Sequence, residues 1–159
     1  ENYIGNISDG LDAQLDMVDT NNDVVNAILN AKYYEAIKND VLFVLKINDL
    51  SDIKVSDEDI VTILSNLLDN AIEAALKAVN KRISVDIYSD EQAMVIKISN
   101  TTEENVLKNN PEMNTTKKDN SYHGYGIKNV SELVKKNNGT IEYIQLGVDI
   151  VQCRVLLML

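Results

Sequence analysis

The chain has 159 residues, 45% of them hydrophobic, which is enough for one sizeable core and too little for a second full domain. Fifteen basic residues against 25 acidic ones give a formal net charge of -10, so nucleic acid is disfavoured as a partner. Any anion-binding site on so acidic a chain has to make its own positive potential from a bound cation, a few lysines and backbone NH groups at helix N-termini.

The single cysteine, Cys153, sits in the apolar run Val151 to Leu159, which excludes an internal disulfide framework and suits a buried thiol in a reducing compartment. No apolar run reaches the ~18 residues of a membrane span and no leader-like segment opens the chain, so this piece is expected to be soluble and cytosolic.

In chain order, Ile4, Ile7, Leu11, Leu15 and Val18 recur at spacings of three and four, the seam of a helix that meets another helix. Unpaired, such a seam is expected to give weak self-association through residues 1–20. Asn21 and Asn22 punctuate, and a second amphipathic helix carries Val25, Ile28, Leu29, Lys32, Ala36 and Ile37 on one side as far as Asn39 and Asp40. Val41 to Ile47 reads as a strand, although its apolar run also fits a buried helix segment.

Ser56 followed by Asp57, Glu58 and Asp59 is a capping box that opens the longest regular pattern in the sequence. Ile60, Ile63, Leu64, Leu67, Leu68, Ala71, Ala75 and Val79 sweep out a wide apolar face. At 100° per residue Asn66, Asn70, Glu73 and Lys77 fall on one narrow stripe beside it. Asparagine is a poor helix former, so two of them four apart are either a solvated stripe or a functional one. Ile83 to Tyr88 and Met94 to Ile98 then alternate as neighbouring strands, turned by Ser89, Asp90 and Glu91.

From Thr101 to Tyr122 the chain is polar and aperiodic, too long for an ordinary connection in a compact domain and suited to a lid or binding loop. It ends at His123-Gly124-Tyr125-Gly126, where Ile127, Val130, Leu133 and Val134 set a helical period that stops at Asn138-Gly139. Two glycines at a helix start allow close backbone approach to a ligand whose negative charge meets the first NH groups, although such glycines are more often plain turn residues. Thr140 to Leu146 and Asp149 to Met158 close the sequence as a hairpin around Gly147.

The order of helix with NLLDNAIEA, two strands, polar lid, HGYGIKNV, helix and two strands resembles the ATP-binding domain shared by DNA gyrase, the heat-shock chaperones, histidine kinases and MutL, over roughly 41–159. The segment Asn26 to Lys32 with Ala36, and Thr115-Thr116-Lys117 ahead of the glycines, resemble the peptide-sensing histidine kinases of the Agr and Vir quorum systems. The resemblance implies an α+β fold, a two-layer α/β sandwich in which a mixed, mostly antiparallel sheet packs on three helices, with an N-terminal helical appendage. Residues 1–20 would then be the tail of a dimerisation and phosphoacceptor helix, 21–40 a connecting helix, and 41–159 the ATP-binding kinase domain with its lid at 101–122.

The same resemblance implies ATP and magnesium as cofactors, with Asn70 as metal ligand and Asn66 one turn earlier supporting the metal or phosphates. Glu73, Asn100, Thr116, Lys117, His123, Gly124, Tyr125, Gly126 and Ile127 would complete the nucleotide site. The activity implied is transfer of the γ-phosphate to a histidine outside this chain, on a phosphoacceptor domain in cis or in a dimer, with a response regulator downstream. The whole would be the cytoplasmic domain of a membrane-bound sensor, without direct membrane contact of its own.

Two departures from the family pattern stand out. Where the family has Asp followed two residues later by Gly, this chain reads Asn100-Thr101-Thr102, so an amide replaces the carboxylate against adenine. The gyrase and MutL branches place a Glu one turn before the metal asparagine to activate water; Asn66 stands there, which favours phosphoryl transfer over hydrolysis. A non-catalytic interaction module and an anti-sigma-type serine kinase are the competing readings. The one histidine, His123, lies in the glycine turn and is badly placed to accept phosphate.

Overall fold

In a computed structural model of the chain, the structure describes residues 18–103, 106–109, 111 and 124–159. The element order is α1 (Asp23–Lys38), β1 (Leu42–Ile47), α2 (Asp57–Lys77), β2 (Arg82–Ser89), β3 (Ala93–Thr101), α3 (Val106–Asn109), α4 (Gly124–Lys136), β4 (Thr140–Gly147) and β5 (Ile150–Met158). The seam residues Ile4, Ile7, Leu11 and Leu15 lie outside the described residues, as does most of the lid.

The five strands form one sheet in the order β1-β2-β3-β5-β4, parallel only between β1 and β2. That single parallel pair follows from the long α2 crossover, which is what a parallel connection requires. Strand alternation sends Ile83, Val85 and Ile87 of β2, Met94, Ile96 and Ile98 of β3, and Val151, Cys153, Val155 and Leu157 of β5 to the helix side, where all are buried. The helices cover that face in order, α1 over β1, α2 over β2 and β3, α4 over β4 and β5. The result is the expected two-layer α+β sandwich, a mixed and mostly antiparallel sheet against three helices.

The interior of this sandwich is dominated by α2. Nine of its residues are buried, with Ile60, Ile63, Leu64 and Leu68 fully so. The apolar face stops earlier than its sequence pattern suggests. The helix ends at Lys77, Ala78 is its C-cap, and Val79 is 99% exposed beyond it.

α1 shares this core: Val25, Leu29, Tyr33 and Ala36 are buried, and Tyr33 meets Phe43 of β1 edge to face with ring centroids 6.0 Å apart. Ile37, grouped with the apolar side by spacing, is 39% exposed, and Tyr33, absent from that grouping, takes the inward place. The chain's entry to α1 is clasped to the loop after β1. Leu50 N donates to Thr20 O at 2.8 Å, Thr20 Oγ1 and N both donate to Asn26 Oδ1, and Asn21 Nδ2 donates to Asp49 Oδ2.

The asparagine and aspartate punctuation marks act through the left-handed region that these residues tolerate. Asn21, Asp40 and Asn138 have φ of 59°, 57° and 52°. Cys153 is buried on β5 opposite Tyr143, and burial pushes its thiol up to about 12, so it stays protonated as a small hydrophobe.

Candidate functional site

α2 and α4 run antiparallel against one another, and two of the residues singled out from the sequence, Asn66 and Gly126, come together where they meet. Asn66 is half-buried, and its Nδ2 donates to Thr62 O at 2.7 Å, one turn back on the same helix. That bond leaves Oδ1 facing α4. A Cβ at position 126 would stand 2.8 Å from Asn66 Oδ1, inside any normal contact. Gly126 thus leaves room for the Asn66 amide where the first turn of α4 meets α2, and a larger residue there would have to displace it. The structure joins two motifs sixty residues apart.

Asn70, half-buried one turn further along α2, meets no side-chain hydrogen-bonding partner among the described residues. Glu73 continues the stripe and lies 3.9 Å from Lys77 Nζ. Gly124, Tyr125 and Ile127 all belong to α4, with Gly124 its first residue and Ile127 half-buried. Thr116, Lys117 and His123 lie outside the described residues.

Asn100 is not at a strand end. β3 continues through Thr101, pairing Asn100 with Ile83 on β2 and Val151 on β5. By alternation from Met94, Ile96 and Ile98 it points to the helix side, and its Nδ2 donates to Thr101 O at 3.0 Å. The extra strand length is held by Thr101, whose Oγ1 accepts from Arg82 N at 2.9 Å, and by Thr102, whose N donates to Asp149 O at 2.8 Å. Two threonines thus extend the sheet where the family pattern has a glycine turn.

Three contributors were not anticipated from the sequence. Thr62 supplies the carbonyl that orients Asn66. Gln145 of β4 fastens the beginning of the lid segment, its Oε1 accepting from Leu107 N of α3 at 3.3 Å. Asp59, read only as a capping residue, is 4% exposed. Its NH meets Ser56 Oγ at 3.2 Å as the capping box requires, but its carboxylate reaches across to α4. There Lys136 Nζ lies 3.0 Å from Oδ2 and Asn137 Nδ2 donates to Oδ2 at 3.0 Å. These partners, Asn137 first and then Lys136, hold the Asp59 carboxyl below its ordinary value. The signal was present in the period: 59 and 66 are seven apart and share one stripe of α2.

On the far side of α2, Lys32 of α1 bonds the carboxylates of Asp69 and of Glu35. Burial works against the Lys32 charge, and the two carboxylates more than offset it, so its pKa is raised. Asp69 lies between the two asparagines in sequence and turns away from them, toward α1. Among the described residues no group of three or more His, Cys, Asp and Glu converges as a metal cluster, and no helix is long and apolar enough to cross a membrane.

Comparison with solved structures returns histidine kinases. The catalytic domain of histidine kinase ThkA aligns over 87% of this chain and 94% of its own, with a TM-score of 0.67 and 18% identity. The mycobacterial sensor histidine kinase MprB aligns over 84% and 93%, with a TM-score of 0.63 and 15% identity. The histidine kinase AdeS of Acinetobacter baumannii aligns over 86% of this chain at a TM-score of 0.60 and 18% identity, and there the chain spans 63% of its length. Comparison with curated protein sequences finds no match. The family model described as the GHKL domain matches residues 55–156, from the cap of α2 to the last strand and so across every element that builds the site; the chain belongs to the GHKL domain family.

Proposed function

We propose that this chain is the ATP-binding catalytic domain of a sensor histidine kinase, holding Mg-ATP between α2 and the start of α4 and passing its γ-phosphoryl group to a histidine outside residues 1–159. The observation that carries the proposal is the approach of Gly126 to Asn66, which brings the first turn of α4 to the amide of Asn66.

The donor set fits this ligand. A hard cation that keeps most of its waters needs only a neutral amide oxygen from the protein beside phosphate oxygens, and Asn70 offers one. Magnesium, when bound, neutralises charge developing on the phosphates. The chain's own residues do the rest. The backbone NH groups at the beginning of α4 face the negative charge of the phosphates, which the macrodipole favours on an otherwise acidic protein. Gly126 lets that backbone come close, and Thr62 holds the Asn66 amide in a single orientation toward it. Asn100, on the helix side of β3, offers a donor and an acceptor to the adenine edge. Thr116, Lys117, His123 and Tyr125 are assigned to the nucleotide on the sequence resemblance alone.

Asn66 and Asn70 carry no group that can take a proton from water, so the site is suited to align a phosphoryl group with an incoming imidazole rather than to hydrolyse ATP. The acceptor imidazole comes from a phosphoacceptor domain linked through residues 1–20, with a response regulator receiving the phosphate in turn. Membership of the Agr and Vir subgroup, with a peptide signal sensed elsewhere in a membrane-bound protein, rests on the sequence segments alone.

The decisive experiment is calorimetric titration with Mg-ATP of the wild-type chain and of Asn70→Ala. We expect binding that depends on magnesium, loss of more than about tenfold in affinity for the variant, and an unchanged melting temperature because Asn70 stands beside the core rather than in it. Labelling with γ-phosphate should appear only on an added phosphoacceptor segment. Absence of nucleotide binding by the wild type would leave a non-catalytic interaction module of the same fold.

A further inference from the structure

We infer that Asp59 is a positioning residue: through Lys136 and Asn137 it fixes where α4, and hence the glycine turn at its other end, stands against Asn66. The inference rests on the nucleotide reading above and adds to it a residue that touches neither nucleotide nor metal.

Few of the described side chains of α4 are fully buried. Among its described side chains Val130 and Val134 are buried to 1% or less and Leu133 is partly buried. Apolar contact is non-directional, so Val130, Val134 and Leu133 fix the register of α4 less sharply than bonds of defined distance and angle would. Hydrogen bonds and ion pairs impose distance and angle. Asp59 supplies them at the C-terminal end of α4, where Lys136 occupies the last turn and Asn137 follows it.

The cluster is built rather than incidental. The Asp59 carboxylate is 6% exposed and accepts from Lys136 and Asn137, while Ser56 Oγ holds its backbone NH. Asn137 Nδ2 also donates to Leu133 O at 2.8 Å, an oxygen that Asn137 N reaches as well at 3.0 Å, so one amide ties the last turn of α4 to the buried carboxylate. The carboxylate lies in the first turn of α2 and the ammonium in the last turn of α4, each where the helix dipole favours its sign. A buried carboxylate is expensive without partners and is therefore found only where they are fixed.

Asp59 and Asn66 are seven residues apart on one stripe of α2, about 10 Å along its axis. The α4 helix spans that distance in the opposite direction, clasped to Asp59 at its end and touching Asn66 at Gly126 near its start. A helix is stiff over this length, so a shift at the clasp appears at the glycine turn. A Cβ at position 126 would stand 2.8 Å from Asn66 Oδ1, so a displacement of α4 by a few tenths of an ångström changes how its backbone NH groups meet Asn66.

The test compares the full 159-residue chain with Asp59→Ala, with Asp59→Asn, which preserves side-chain volume, and with Val25→Ala, a core truncation on α1 away from α4. Mg-ATP affinity is measured by calorimetry well below every melting temperature, and amide exchange is followed at residues 126–130. We expect both Asp59 variants to bind roughly tenfold more weakly and to exchange faster at the start of α4. Val25→Ala should lose melting temperature but keep wild-type affinity and wild-type exchange in that turn. Wild-type affinity in both Asp59 variants, or an equal loss of affinity in Val25→Ala, would overturn the inference while leaving the nucleotide reading intact. Failure of the wild type itself to bind Mg-ATP would overturn the nucleotide reading and this inference with it.

Discussion

The two helices that wall the candidate site are held in different ways. α2 buries nine residues against the sheet and its neighbours, and its position is overdetermined by packing. α4 has Val130 and Val134 buried among its described side chains, and the Asp59 cluster gives it direction. A site that admits and releases a ligand needs one wall that cannot move and another that can be displaced at low cost. The asparagines stand on the first and the glycine turn on the second.

That contrast can be tested by perturbing each wall. The largest effect is expected from Leu64→Ala in α2, which should lower global stability by about 2–5 kcal/mol in urea denaturation. Val134→Ala in α4, losing two methyl-sized groups at ~0.8 kcal/mol each, should cost about 1.5–2 kcal/mol. Equal losses at the two sites would erase the contrast.

Gly126→Ala comes next and should separate binding from stability. Alanine improves helix propensity by up to about 1 kcal/mol, so melting should be unchanged or slightly raised. The new methyl displaces Asn66 Oδ1, and Mg-ATP affinity should fall about tenfold, or ~1.4 kcal/mol. Retained affinity would mean that the two motifs do not share a ligand.

A smaller effect depends on pH. The Asp59 pKa is lowered in the folded state, so its contribution is fully present above the ordinary aspartate value of 3.8 and is lost as pH falls through the folded-state value. The stability gap between wild type and Asp59→Asn should therefore be constant at neutral pH and close on acidification below that range, as followed by melting temperature. A gap that persists unchanged into strong acid would show that the carboxylate charge is not what holds α4.

The smallest effect is predicted for Lys32→Met, which breaks the ties to Asp69 and Glu35. Asp69 is 55% exposed, so the change should stay below about 1 kcal/mol and shrink further in high salt. A loss as large as that of Leu64→Ala would place α1 in the rigid wall through electrostatics rather than through Leu29 and Tyr33.

Much of the fold was legible in the chain because local rules and burial agree there. Helix α2 was readable from its cap at Ser56 and its 3.6-residue period, and the strands from their alternation. The limits of that reading are equally physical. Val79 fits the helical period but lies beyond a helix already ended at Ala78, since periodicity says nothing about where the backbone stops. Tyr33 rather than Ile37 packs inward on α1, where its ring meets Phe43 of β1 edge to face, a contact that spacing along one helix does not reveal.

For the candidate site, sequence by itself determined the chemical types and their order: two amides on one helical stripe, a polar lid, and glycines opening a helix. Spacing along one element fixes which side chains share a face, and that is a local property. Only the tertiary structure decided that Gly126 closes on Asn66, that β3 runs on through Thr101, and that Asp59 turns from capping its own helix to clasping another. Each of these depends on the distance between elements far apart in the chain. That distance is set by how the whole core packs, and no short segment encodes it.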